Sequence, residues 1–504
     1  MQEDKVIDVL SYFQLDSSIE HESLECKEAG KGLPHSLWET YSAFANTDGG
    51  VILLGIREQP KGVFSVNGVE NPQDLVNTFW ASCSNMTTVN RNILSNSDVQ
   101  ILTDVTKKKI IMITVPQAPL SQMPVFIKGH MELSFIRHGE SDVKATQDEL
   151  KALIRNSQNT VDSLPLVSFS MEDLDIPTVT AFKSIVASRF PVKGYENKSN
   201  EEFLIELGFF GQERATKTFH PKQGCLLLFG KYNAIKDFFP SYHLDYIDYR
   251  NSDSRWSDRV ASDMSTEQEM NLYNFFNIAY NKLIAADKNS FELDDKQVRV
   301  EHSLIVAIRE ALVNMIVHAD YAITGGSLKI EVYEDHYNFR NPGKMLVSVE
   351  SFERGGSTIC RNETIMRAFR FLGFSERQGM GGKEIVSTAI RNKLMLPTII
   401  TNLEFTEIKL WKIDAASYPE LSHEEQAILR YIIDKTTPVS KTDLKHAFPQ
   451  YTDYRIKTTM ASLLITNKIV VLGKGKATKY MLAPTSMELR WKLQKMITQL
   501  WESF

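Results

Sequence analysis

Three things are scarce in this chain, and each scarcity excludes a class of protein. Cysteine is rare: Cys26, Cys83, Cys225 and Cys360 are the four in 504 residues, far apart and without zinc-like pairing. That pattern reads as buried, reduced thiols. Long apolar runs are missing, since no stretch approaches the ~20 residues a membrane helix needs. The start, Met1-Gln2-Glu3-Asp4-Lys5, lacks the basic-then-apolar order of a secretion signal. A cytoplasmic chain with no membrane partner is therefore expected. Excess positive charge is also missing: a net charge of −6 excludes a globally basic nucleic-acid coat, so any nucleic-acid surface must be a local patch.

What is present is a chain of ordinary globular composition, long enough for several cores, since single cores stop growing at roughly 250–300 residues. The organising stretch runs from Ile19 to Glu58. Leu24 to Cys26 reads as a short strand, Pro34 as the first residue of a helix to about Phe44, Asn46–Gly50 as a turn and Val51–Ile56 as a buried strand. Such a strand–helix–turn–strand unit is expected to bring Glu20 and Glu25 near Glu58, with Lys27 beside them. A short helix is expected over 4–14, a loop over 60–71, and a helix from Pro72 to Cys83. Val99–Val105 and Lys109–Val115 read as a hairpin, Met131–Arg137 as a strand, and Thr146–Ile154 as a helix capped by Thr146 and Glu149. Lys128, Arg137 and Lys107–Lys109 are candidate phosphate contacts, although for the lysine run solvated turns are the favoured reading.

The segment Glu20-x-x-x-x-Glu25-x-Lys27 followed by Ala43-Phe-Ala-Asn-Thr-Asp-Gly-Gly50 resembles the Schlafen AlbA-type family. That resemblance implies an α/β domain over 1–159 that binds or cuts nucleic acid, RNA or DNA. It makes Glu20, Glu25 and Glu58 candidate ligands for Mg²⁺ or Mn²⁺ and Lys27 a candidate stabiliser of phosphate charge. Arg57 and Glu58 stand where active members carry two acids. The alternative reading makes Glu20 and Glu25 fold determinants that pair with Lys27 and nearby backbone.

Residues 160–295 read as a connecting α/β region, with helices over 178–189, 200–207 and 265–284 and buried strands over Gly224–Phe229 and His243–Tyr249. The second informative region is 296–415. Ser303–Ala319 is strongly helical and places Glu310, Asn314 and His318 four residues apart along one face, costly to bury without a ligand. An alternating strand follows over Leu328–Tyr333, then Tyr337 to the turn Asn341-Pro342-Gly343, then Gly379-Met-Gly381-Gly382-Lys383 opening a helix suited to phosphate.

These pieces, in this order, resemble the GHKL-type ATPases, in particular the divergent RecG-like branch. The resemblance implies an α/β sandwich that binds ATP. Glu310 would then orient the attacking water, Asn314 would hold Mg²⁺, and Asn341 would take the adenine-reading position. His318, Gly343, Arg361, Gly379, Gly381, Gly382 and Lys383 would contribute to the nucleotide site. For Arg361 a core carboxylate is the competing partner, and for His318 a structural contact at the helix end. The better-known relatives commonly pair, which implies a homo-oligomer, at least a dimer.

Residues 416–504 look like a winged helix followed by a terminal helix over 489–501. Helices are expected over 422–434, 441–448 and 451–467, then a hairpin wing bearing Lys474, Lys476 and Lys479. DNA contact and protein contact are both open for this region. Together the expectation is an α+β multidomain protein. Its function would be nucleotide-regulated nucleic-acid processing, either as a divalent-metal endonuclease in bacterial defence or stress or as a non-cleaving regulator that senses nucleotide.

Overall fold

The computed structural model describes residues 6–13, 15, 23–30, 32–59, 63–157, 161–250, 255–264, 267–287, 304–356, 359–374, 379–392, 394–413, 416, 421–435, 437–473, 475 and 478–483. The protein is mixed α and β and forms two compact units, residues 1–159 and 160–504.

The first unit is built on a five-stranded sheet in the order Val6–Ile7, Val99–Asp104, Lys109–Val115, Gly50–Leu54, Leu24–Lys27. The middle pairs are antiparallel and the two outer pairs parallel. The expected helix over 4–14 is instead the edge strand Val6–Ile7 and a single turn, Val9–Tyr12. Pairing with Thr103 and Asp104 holds the strand, and the Asp104 carboxylate accepts the Val9 N–H at 3.1 Å, which stops a continuous helix.

The helix that links the two parallel strands is Leu37–Asn46, entered through a turn at Pro34 whose carbonyl accepts the Leu37 N–H at 3.0 Å. Asn46, expected in a turn, is the last helical residue and is fully engaged. Its Nδ2 donates to Val125 O at 2.7 Å and Phe135 O at 3.0 Å, and its Oδ1 accepts from Val125 N at 2.8 Å. Gly49 alone of the glycine pair uses positive φ (+77°), where a Cβ would stand 2.7 Å from Val115 O. A second positive φ, at Gly55 (+100°), splits the expected strand into Gly50–Leu54 and Ile56–Glu58. Ile56–Glu58 pairs with Phe64–Val66, inside the stretch read as a loop. Pro72–Cys83 is helical as expected, Phe135–His138 pairs with Ser141–Lys144, and Gln147–Ser157 closes the unit. The Thr146–Glu149 cap forms in both directions.

The second unit holds a six-stranded sheet in the order Asp258–Ala261, Leu244–Asp248, Leu328–Val332, His336–Pro342, Phe405–Trp411, Thr398–Thr401. One core runs from Leu166 to Leu410, so residues on both sides of 295 bury their apolar faces together. The Leu304–His318 helix lies in it, with Ala307, Ile308, Ala311, Leu312, Met315 and Ile316 buried. Gly224–Phe229, expected as a strand, belongs to a helix, Gln223–Phe229. All six residues are buried, and a run that is apolar on every side carries no period to separate helix from strand.

A separate core gathers Ile428, Leu429, Leu444, Ile456, Met460 and Leu463. Around it stand the helices His423–Asp434, Lys441–Ala447 and Asp453–Ile465 and a three-stranded sheet in the order Val439–Ser440, Lys479–Leu482, Ile469–Leu472. Ser422 with Glu425, and Ser440 with Asp443, close capping boxes on the first two helices. Lys474, Lys476 and the expected helix over 489–501 lie outside the described residues. No described helix is long and apolar enough to cross a membrane.

Candidate functional site

Two clusters of candidate residues were expected, and they are built on opposite plans. In the first unit, Leu24–Lys27 runs parallel to Gly50–Leu54, with Glu25 opposite Ile52 and Lys27 opposite Leu54. Parallel pairing puts the two strand beginnings together. Ile56–Glu58 continues beyond the positive φ at Gly55, and there Arg57 approaches Glu28 at 3.8 Å. Glu20 lies outside the described residues.

Glu25 is instead held by cations. Its Oε1 accepts from Lys27 Nζ at 2.9 Å and its Oε2 from Arg137 Nη1 at 3.1 Å. The same Nη1 donates to Asp142 Oδ1 at 2.8 Å, and the guanidinium sits 5.1 Å from the Phe44 ring centroid. Asp142 also accepts from the Thr40 hydroxyl. Arg137 is only 3% exposed, so it serves as a buried tie between the first strand, the linking helix and the 135–144 hairpin. Asp142 was not anticipated; its only sequence signal is its place five residues after Arg137. Among the described residues, no three His, Cys, Asp or Glu side chains are grouped to hold a metal ion. With both Glu25 oxygens bonded to cations, the described side chains do not fit a divalent-metal centre.

In the second unit the plan is reversed, with polar groups facing open space. A cleft with ≈ 710 Å³ of empty space, counted out to its open side, is lined by Asn314, His318, Asn341, Gly379, Gly381 and Gly382 from the expected set. Lys344, Met345, Phe352 and Thr406 complete the polar and apolar walls and were not anticipated. Lys344 directly follows the Asn-Pro-Gly turn, and 8% exposure for a lysine is a signal that only the fold reveals.

At one end of this cleft, Glu310 and Asn314 converge on Gly381. A Cβ on Gly381 would stand 2.9 Å from Glu310 Oε2 and 3.1 Å from Asn314 Nδ2, so glycine keeps the space open. Asn314 Nδ2 is buried and, among the described residues, has no hydrogen-bond partner. An unpaired buried amide costs about 1–3 kcal/mol. In one orientation this amide donates to a phosphate oxygen; turned over, it presents its oxygen to a divalent cation. The site therefore fits a magnesium-bound phosphate. Glu310 is kept beside it by Arg309 Nη2 at 3.0 Å.

Toward the other end, Asn341 Nδ2 donates to Pro342 O at 3.2 Å, which leaves Oδ1 as its acceptor. The Thr406 hydroxyl donates to Gly343 O at 2.8 Å and meets Thr401 Oγ1 at 2.9 Å. Both side chains offer acceptors, which suits an exocyclic amino group. Burial, and then the neighbouring Arg361 guanidinium, push the His318 imidazole down to about 4, so it is neutral at physiological pH.

Three expected contacts are not in the cleft wall. Arg361 is buried against Asp320 at 3.7 Å and donates to His318 O at 3.0 Å and Lys344 O at 2.7 Å, a floor beneath the site. The competing partner, a core carboxylate, is the one observed. Gly343 adopts φ +92°, and a Cβ there would stand 2.8 Å from Asp320 Cβ, so its role is the turn. Lys383 is exposed on the Gly381–Arg391 helix, packed beside Gly355.

Three family models match parts of the chain. Residues 20–146 match Schlafen, AlbA_2; residues 151–245 match a domain of unknown function, DUF8451; residues 325–410 match the RecG C-terminal HATPase_c_4 domain. No curated protein matches. Among solved structures, the DIP2311 protein from Corynebacterium diphtheriae is similar at 15% identity over 94% of this chain and 99% of that one, with a TM-score of 0.40. The N-terminal domain of a RecG-related protein from Nitrosomonas europaea is similar at 24% identity over 28% of this chain and 94% of that one, with a TM-score of 0.21. The chain thus carries one stretch similar to AlbA_2 domains and one similar to the RecG C-terminal domain, matches that suggest a nucleic-acid-related, ATP-binding function.

Proposed function

We propose that this protein binds ATP with Mg²⁺ in the 304–411 cleft and uses nucleotide occupancy to control its hold on nucleic acid. The observation that carries the reading is the buried Asn314 Nδ2, without a hydrogen-bond partner among the described residues, beside Glu310 and Gly381. An amide left unsatisfied at the mouth of a cleft is costly in the free protein and is satisfied by a phosphate–metal group. Bound Mg²⁺ would neutralise phosphate charge. Asn314 holds that end of the ligand, and the Gly379–Gly382 backbone approaches it without side-chain obstruction. Glu310 stands where a carboxylate can orient a water and take its proton. Asn341 and Thr406 accept from the amino group of the base, and neutral His318 adds no positive charge to the wall.

For the first unit, the reading is nucleic-acid binding without cleavage. Glu25 and Asp142 share Arg137, and this saturated, charge-balanced arrangement supports a fold role over a metal role. Two measurements test the proposal. Calorimetry is expected to show ATP binding that Asn314→Ala weakens by roughly 10–100-fold, the worth of one charge-assisted hydrogen bond; equal binding by the variant would refute the site. Incubation of the purified chain with Mn²⁺ or Mg²⁺ is expected to leave RNA and DNA intact. Cleavage that Glu25→Ala abolishes would establish the nuclease instead.

A further inference from the structure

The chain as a whole is acidic, but its charge is segregated. Residues 435–482 carry nine Lys and Arg against two Asp, a net of +7, so the remainder of the −6 chain carries −13. A basic segment in an acidic protein is the electrostatic footprint of a polyanion site. None of the family models reaches this segment, since the last ends at residue 410.

Four of these cations, Lys441, Lys445, Lys457 and Lys479, come from neighbouring elements, the Lys441–Ala447 and Asp453–Ile465 helices and the Lys479–Leu482 strand. Lys441 and Lys445 lie one turn apart on the first helix, and Lys457 lies on the second. Lys479 pairs in register with Ser440, the cap residue just before Lys441. The local acids are already used. Asp443 closes the cap with Ser440 at 2.8 Å, Asp453 contacts Lys445, and Glu424 meets Arg455 at 2.9 Å. Among the described residues, Lys441, Lys457 and Lys479 form no ion pair. The lysines also crowd one another: burial, and then Lys457, lower the Lys441 ammonium, with Lys445 adding and Asp453 opposing. Like charges held close to one another are stabilised by an incoming anion.

The second helix adds a shape. Its outward face runs Tyr454, Thr458, Ala461, Ile465 beside Lys457, and Tyr454 and Ile465 are 77% and 80% exposed. Thirteen residues make this helix, and a projecting helix of that kind fits the ~12 Å major groove of B-form DNA, whereas the narrow RNA major groove does not admit it.

We infer that the Lys441–Ala447 and Asp453–Ile465 helices together with Lys479 form a duplex-DNA-binding face, with the Asp453–Ile465 helix entering the major groove and Lys441, Lys457 and Lys479 contacting phosphate. The arrangement is that of a winged helix used on DNA. This deepens the proposed function by giving its nucleic-acid partner a class and a place, and it does not depend on the ATP cleft.

The test measures fluorescence anisotropy of a labelled duplex of about 20 base pairs with the full chain, across about 50–200 mM salt. Lys441→Glu/Lys457→Glu is expected to weaken binding at least about tenfold and to flatten the log–log salt slope by about two, one for each phosphate no longer neutralised. Lys441→Gln/Lys457→Gln, which adds no repulsion, is expected to lose less affinity with the same change in slope. Asn314→Ala is expected to lose ATP and keep duplex binding in the absence of nucleotide, which separates this inference from the cleft assignment. Unchanged duplex affinity in a glutamine variant that melts like the parent overturns it, as does a parent that binds no duplex. Binding of single-stranded RNA or of a protein that survives the lysine changes, with no duplex binding, has the same consequence.

Discussion

The two clusters of polar residues teach by contrast. Around Glu25, every charge has an opposite charge: Lys27, Arg137 and Asp142 close a balanced set, and Arg137 is buried to 3% exposure. Around Asn314, the buried Nδ2 has no partner among the described residues, and a glycine keeps a side chain out of the space. A saturated cluster lowers the energy of the empty protein and has little left for a ligand. An unsaturated one raises that energy and recovers it only when something binds. Acid content alone would have ranked the first cluster higher. Satisfaction of the groups reverses that order.

The largest effect that would break this contrast is at Arg137. Arg137→Ala leaves Glu25 and Asp142 without their shared partner and is expected to cost about 3–5 kcal/mol of stability in the first unit, read by urea unfolding. A change of under about 1 kcal/mol would show that the cluster is not structural.

Next come two buried titrating groups of opposite sign in the second unit. Burial raises the Asp162 carboxyl to about 6, against a backbone hydrogen bond from Ile365. Between its ordinary 3.8 and about 6, the folded chain keeps a proton that the unfolded chain has released, so stability falls as pH rises. His318 is depressed from 6.5 to about 4, so within that window the unfolded chain is the more protonated and stability rises with pH. Each contributes about 3 kcal/mol, and the two largely cancel. Thermal melting of Asp162→Asn is therefore expected to show a steep gain in stability from about pH 4 to 6.5 that the parent lacks. His318→Gln is expected to show the opposite slope.

A smaller effect sharpens the contrast from the other side. Asn314→Ala, which weakens ATP binding, is expected to leave stability unchanged or raise it by up to about 1 kcal/mol, because an unpaired amide is removed. A loss beyond about 2 kcal/mol would mean the amide has a partner in the free protein. Gly381→Ala is expected to keep the fold while reducing ATP affinity, since the new methyl would stand against Glu310 and Asn314. The smallest change is Asn341→Asp, which keeps the acceptor. It is expected to hold ATP affinity within about threefold in a competition assay.

Much of this was legible in the residues because local rules set it. Pro72–Cys83, the Val99–Val115 hairpin and the Ser422–Glu425 and Thr146–Glu149 caps follow from period and side-chain chemistry within a few residues. The spacing of Glu310, Asn314 and His318, with the glycine run far downstream, marked most of the cleft. The misreadings were decisions made at long range. Gly224–Phe229 is apolar throughout, and only its burial among other helices makes it helical. Arg361 could have met phosphate or carboxylate, and the buried position of Asp320 decided for the carboxylate.

The sequence by itself determined which side chains were available and which lay on one face of one helix, because helical period and cap chemistry act over a few residues. The tertiary structure alone decided which of them were left wanting a partner. Hydrogen-bond satisfaction depends on what distant segments bring to the same few ångströms: Arg137 reaches Glu25 across 112 positions, and no described residue bonds Asn314 Nδ2.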